Sequence, residues 1–410
     1  GTAHRIWWKN HKFRTTDAFT YNVASEPKLA TLDPDAQSMD IDFRNNFTGK
    51  MPKEKLFYRP GMRYQPRNRF LRQWYPTVHY LEKDGYIPGF RNIRSYGLLQ
   101  EITTDINVGT ETGKIFWKIS GWNRNLFKGI GKKNFYIYNL GGVSGFGISS
   151  SKQLNPTNPN GNIWSLTSGV SLTKATDTSR TNLFDTGLLT VFTIKVTGST
   201  GLTNDIIMLD FSPRGISDWS FTRLTLINKY EKRKSLFGLR IQDILGYIWT
   251  DSKGVPVQER FTIEGAGSGT TYEKAYLRDA TSFYGNIDLR NRYHLPGDAN
   301  LRAFGNQGFV GVEKIFAITL EGFIYKKLGG SNLELAAFLD EGTLSGSKFV
   351  LNDKGFKDTR LMDYGIGLRL STTVFGQPIY LRIDKPLKAT IDGKSIEEMN
   401  DWVFSFQKSI

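Results

Sequence analysis

Apolar and polar residues alternate along most of the chain, most plainly in Phe316-Ala317-Ile318-Thr319-Leu320-Glu321. Phe316, Ile318 and Leu320 fall on one side of an extended segment and Ala317, Thr319 and Glu321 on the other, because successive side chains of a strand point to opposite faces. Gly365-Ile366-Gly367-Leu368-Arg369-Leu370 repeats the pattern, its large aliphatics on one face and two glycines and an arginine on the other. Leu188 to Val196 is longer and in places apolar on both faces, which predicts a strand partly covered from inside. Such segments, separated by Gly, Asn, Asp, Ser and Pro, recur from Lys55 to the end of the chain, and helical stripes are nearly missing. Residues 1–56 keep neither period, with Asp33-Pro34-Asp35 and Asn45-Asn46 marking turns. They read as an N-terminal extension or linker, and 57–410 as one strand-built unit.

No run approaches 18 consecutive apolar residues, so no segment reads as a transmembrane helix. A membrane barrel is a different matter, because lipid-facing and lumen-facing side chains alternate and mean hydropathy stays low, here −0.38. Aromatic residues make up 13% of the chain and crowd the segment ends, more than a soluble core needs and suited to membrane interfaces. A soluble sandwich or propeller gives the same alternation, but no blade-length repeat is visible. The pattern predicts an all-β fold: a closed antiparallel transmembrane barrel of the bacterial outer membrane. About sixteen strands of roughly ten residues, with their turns and loops, fit 57–410, and fourteen or eighteen fit as well.

The charge balance is 54 − 39 = +15, spread along the chain. No basic stripe with a helix or finger motif accompanies it, which argues against nucleic acid and leaves anionic headgroups or a charged lumen. Lys229, Lys232, Arg233 and Lys234 read as a basic turn suited to the membrane edge. There is no cysteine, and His4, His11, His79 and His294 are not spaced as a zinc pair. Gly265-Ala266-Gly267-Ser268-Gly269 lacks the Lys-Ser/Thr of a phosphate loop; Gly142, Gly145 and Gly147 miss the dinucleotide spacing; Ser144 is one residue short of a nucleophile elbow. The expectation is therefore no catalytic residue, no cofactor and no metal within this chain. Gly1 to Trp8 has no apolar core of a signal peptide, as expected of a processed chain or a fragment.

Gly297-Asp298-Ala299-Asn300-Leu301-Arg302-Ala303-Phe304-Gly305 resembles the lumen-loop motif of the bacterial surface antigen superfamily of outer-membrane assembly and secretion barrels. Leu301-Arg302-Ala303-Phe304 matches its apolar-Arg-Gly-Phe/Tyr tetrad, with Ala303 in place of the glycine, and Glu321 lies on the strand that follows. Phe338-Leu339-Asp340-Glu341-Gly342 matches F-x-D-x-G, Tyr364 to Leu370 the next strand, Leu381 to Leu387 an L-R-I-D-x-P-L strand, and Trp402-Val403-Phe404-Ser405-Phe406 the closing aromatic strand. The resemblance implies an inward-folded loop carrying Gly297, Leu301, Arg302 and Phe304, and a closing strand with Trp402, Phe404 and Phe406. An arginine cannot shed its proton in a protein, so Arg302 in a lumen needs carboxylates. Asp340 and Glu321, inward by alternation, are the expected partners of a latch, at about 2.7–2.9 Å for a charge-assisted pair.

Leu32-Asp33-Pro34-Asp35, Met39-Asp40-Ile41-Asp42 and Asn45-Asn46 look like the junction between a gluzincin aminopeptidase-like domain and a C-terminal barrel of this type, with Tyr58-Arg59-Pro60 and Lys83-Asp84-Gly85-Tyr86 like its first strands and turn. The function expected is a membrane anchor or a subunit of a protein assembly or export complex, partnered by outer-membrane lipid and by other outer-membrane or periplasmic proteins. One alternative is the barrel of an outer-membrane metallopeptidase whose catalytic domain lies upstream, so whether the whole protein is an enzyme stays open. A solute channel is a further alternative, disfavoured because the inward loop would occlude the lumen.

Overall fold

The computed structural model describes residues 55–57, 70–81, 84–96, 99–124, 131–155, 162–176, 185–263, 298–304, 311–346, 356–374, 377–397, 399 and 402–407. They form one sheet of eighteen strands. The first twelve are β1 (Lys55–Phe57), β2 (Leu71–Leu81), β3 (Gly85–Tyr96), β4 (Gln100–Val108), β5 (Ile115–Asn123), β6 (Lys132–Leu140), β7 (Val143–Gln153), β8 (Ile163–Ala175), β9 (Gly187–Ser199), β10 (Thr203–Ser212), β11 (Phe221–Lys234) and β12 (Phe237–Thr250). The remaining six are β13 (Lys314–Leu328), β14 (Ser331–Gly346), β15 (Phe356–Val374), β16 (Gln377–Ile391), β17 (Lys394–Ser395) and β18 (Val403–Gln407).

From β2 to β16 each strand pairs antiparallel with the next, and both β17 and β18 pair with β16. β1 runs parallel to β2, Lys55 opposite Leu71. The expected count was about sixteen; β1 and β17, three and two residues long, are too short to leave a periodic trace. β1 also straddles the expected boundary at residue 56. The predicted junction over 32–46 lies outside the described residues, as do Tyr58-Arg59-Pro60, His294 and the Gly265–Gly269 run. The predicted basic turn is instead the last part of β11; the turn is Ser235 and Leu236, with Ser235 at a φ of 54°.

Burial is inverted relative to a soluble protein. On β13, Phe316 is 51% exposed and Leu320 and Ile324 are exposed with it, while Ala317, Thr319 and Glu321 are buried. On β15, Ile366 and Leu368 face outward and Arg369 inward. An apolar outer face and a charged inner one is the arrangement that hydrocarbon demands. Asp205, Asn228 and Asp243 interrupt the outer face in register across β10, β11 and β12, and Asn228 donates a hydrogen bond to Asp205.

The described parts of the β12–β13 connection, 251–263, 298–304 and 311–313, pack on the inner face. Its outgoing limb makes a 3-10 turn, Val257–Glu259. Phe261 and Val312 exchange two backbone hydrogen bonds of 2.9 Å, and Ala299 and Leu301 donate to the Thr262 and Ile263 carbonyls at 3.0 Å. Leu301 and Phe304 are buried against wall residues that include Leu189, Val191, Ile244 and Ile315, each such side chain contributing about 1.5–3 kcal/mol. This is what covers β9, where Leu189 and Val191 are buried while Phe192 and Ile194 on its other face are exposed.

Bulky inward rings are seated on glycines of the adjacent strand. Phe338 on β14 lies opposite Gly365 on β15, and a Cβ at Gly365 would stand 2.6 Å from its ring and still closer to the Lys385 carbonyl. The ladder shifts register there: Tyr364 pairs with Lys388 and Gly365 with Pro386, so Leu387 is the extra residue of a bulge that accommodates a proline without an N–H. Gly365→Val is expected to cost about 1–3 kcal/mol by overpacking against backbone that cannot yield. Gly322→Ala, with nothing within 4 Å of the added carbon, is expected to stay within about 0.5 kcal/mol of the parent. Urea midpoints of the two refolded variants, followed by tryptophan fluorescence, test the contrast; equal midpoints would show that the Gly365 contact is not constraining.

Candidate functional site: an arginine network on the inner face

Arg302 follows directly on the neck of the inward connection and is 1% exposed. Its Nε lies 3.1 Å from Asp340 Oδ2 on β14, its Nη2 3.4 Å from Glu321 Oε2 on β13, and its Nη1 3.4 Å from Asp384 Oδ2 on β16. The guanidinium stands over the Phe338 ring, 3.8 Å from its centroid. Alternation explains the placement, since Glu321, Asp340 and Asp384 are all at inward positions of their strands. Gly365 makes room for the ring on which the cation rests.

The expected separation of about 2.7–2.9 Å is not met. One guanidinium is shared among three carboxylates, so it sits between them at 3.1–3.4 Å instead of forking onto one. Arg369 and Arg382 complete the cluster: Arg369 bonds Glu321 and lies 3.4 Å from Asp384, which Arg382 also bonds. Asp340 and Asp363 are cross-strand partners, and the like-charge cost of that placement is eased by Arg302 on one side and on the other by the Ala303 amide, which donates to Asp363 Oδ2 at 3.2 Å. Towards the β11–β12 turn, Arg240 joins Glu321 and Glu334 at 2.8 and 2.7 Å over the Phe323 ring, and Arg233 reaches Glu334 at 3.1 Å.

The structure thus brings together Arg302, Glu321 and Asp340, with Leu301 and Phe304 packed beside them. Gly297 lies outside the described residues. In the last segment Trp402 is exposed, Phe404 half-buried, and Phe406 falls within β18. Sequence reasoning did not include Asp363, Arg369, Arg382 and Asp384 in the cluster. Arg369, Arg382 and Asp384 lie within the strand motifs of the sequence, and strand parity, applied to every charged residue there, would have put them on the inner face, though not at the height of Arg302. The cluster joins the connection to four strands, β13 to β16, at one point.

Breaking a buried ion pair from one side costs about 3–5 kcal/mol, because the stranded charges remain. Arg302→Ala is expected to speed hydrogen exchange at the Ala303 amide by about two orders of magnitude while the β13–β14 ladder keeps its protection. Unchanged exchange at Ala303 would show that the arginine does not hold this segment.

No protein-family model and no curated protein matches the chain. Among solved structures it is similar to BamA from Haemophilus ducreyi lacking POTRA domains 1-3, with 13% sequence identity and a TM-score of 0.51 over 83% of this chain and 71% of that one. It is also similar to CdiB from Escherichia coli, with 10% identity and a TM-score of 0.41 over 78% of this chain and 52% of that one. The first likeness gives the fold: an antiparallel β-sheet structure of the BamA type.

Proposed function

We propose that this chain is an outer-membrane β-barrel that serves in protein assembly or export, with its inward connection held in the lumen by Arg302, Glu321 and Asp340. The observation that carries the reading is a buried arginine on an inward loop, clamped to carboxylates of a wall whose outer face is apolar and whose fold is BamA-like. The barrel is read as closing through sixteen spanning strands, β2 to β16 and β18, with the edge of β2 meeting β18. Backbone groups in hydrocarbon have no water to bond, so an open edge in the membrane is costly. The connections also suit an outer-membrane orientation: two residues each between β11 and β12 and between β13 and β14 at one end, against 251–313 and 347–355 at the other. Residues 57–410 form the barrel in this reading and 1–56 its extension. A connection packed on the inner face of β9 to β15 disfavours a solute channel.

Closure predicts that the unheated protein in dodecyl sulfate migrates differently from the boiled protein, since a barrel without edges resists unfolding by detergent. Identical mobility overturns the closed barrel. For the function, depletion in the native host is expected to lower a subset of outer-membrane or exported polypeptides, measured by quantitative proteomics of isolated membranes. Arg302→Ala is expected to do the same at normal abundance of the protein itself. Slowed solute uptake with an unaltered membrane proteome would instead identify a channel.

A further inference from the structure

Arg223, the third residue of β11, lies at the end of the wall where β12 hands over to the inward connection. Its Nε and Nη2 donate to Asp210 Oδ2 on β10 at 2.9 and 2.7 Å, and Thr193 on β9 donates to the other oxygen of that carboxylate at 2.6 Å. Asp210 is 1% exposed, so one side of the fork is fixed to the wall. The other side grips the connection: Nη1 lies 2.8 Å from the Glu259 main-chain oxygen and 3.0 Å from its carboxylate. Asp185, just before β9, holds the same 3-10 turn: its carboxylate accepts from the Val257 amide at 2.8 Å and its main-chain amide donates to Gln258 Oε1 at 3.0 Å. The turn continues into the paired neck, where Thr262 and Asp298 bond reciprocally at 2.8 Å. Burial pushes the Glu259 and Asp298 carboxyls up from their ordinary range, and Arg223 pulls both part of the way back.

Glu321, by contrast, is the middle residue of β13, so Arg302 takes its partners deeper in the wall. Arg223 pairs with Asp210 and Glu259, whereas Arg302 pairs with Asp340, Glu321 and Asp384. We propose that Arg223 is a second clamp that fixes the neck of the connection independently of Arg302, so that the neck and the Arg302–Phe304 flap open as separate units. Contacts without shared partners are broken separately. A held neck keeps the flap at high effective concentration beside its carboxylates whenever that segment opens. The inference needs only the inner packing of the connection; it stands or falls apart from any role in assembly or export.

Residue-resolved hydrogen exchange on the full chain, folded in detergent, separates the clamps. Arg223→Ala is expected to speed exchange at the Phe261 and Ala299 amides about tenfold or more, the loss of a charge-assisted hydrogen bond, and to leave Ala303 within about twofold. Arg302→Ala is expected to do the reverse. Glu259→Gln keeps the main-chain acceptor and the shape while removing the charge; it is expected to give about a threefold rise at the neck, and it decides the matter if Arg223→Ala does not fold. The proposal is overturned if neck exchange is unmoved by both Arg223→Ala and Glu259→Gln. It is equally overturned if Arg302→Ala alone opens neck and flap together, because the connection would then be one cooperative plug.

Discussion

Every backbone N–H and C=O shut off from water must find a partner, and this is the constraint on which the rest of the structure depends. It is met by one continuous ladder in which each strand from β2 to β16 bonds its chain neighbour. The outer face of the wall is largely apolar, as Phe316, Ile318 and Leu320 show on β13, with Asp205, Asn228 and Asp243 as the polar interruption. Glu321, Asp340 and Asp384 lie on the inner face near Arg302. Charge follows the same logic, for an arginine removed from water has to find carboxylates.

The inner charges are arranged as a shared cluster. Glu321, Asp340, Asp363 and Asp384 come from four successive strands that otherwise meet only as neighbours, and Arg302 enters from a connection that belongs to none of them. A buried cluster of this kind adds little net stability but is specific, because sliding any strand by one residue would turn its charged group to the outer face. Phe338 seated on Gly365 gives the guanidinium a ring to rest on, so packing and charge fix the same geometry. The bulge beside Gly365 lets Pro386 stand in β16 within two residues of Asp384.

Arg223 and Arg302 solve the same problem in opposite directions. Arg223 belongs to the wall and reaches out to the connection, with half of its fork committed to Asp210. Arg302 belongs to the connection and reaches into the wall, with its donors divided among three carboxylates. The first geometry suits a fixed attachment and the second a surface on which a loop is seated.

Read without the fold, the sequence already carries the all-β class, which face of β13 and β15 is apolar, the inward covering of β9, and the inward side taken by Glu321 and Asp340. Each of these rests on the period of two, which is local and survives in a linear string; that Arg302 comes from an inward loop to meet them was implied only by the motif resemblance. Tertiary structure decided what depends on register between distant strands: Asp384 beside Arg302, Arg369 between Glu321 and Asp384, and Arg223 against Glu259, thirty-six residues away. It also turned a predicted basic turn into strand, because Lys232, Arg233 and Lys234 pair with Leu239, Gly238 and Phe237 of β12. Parity tells which face a charge takes, but not its height along the wall, and the height is set by the tilt and pairing of every strand between.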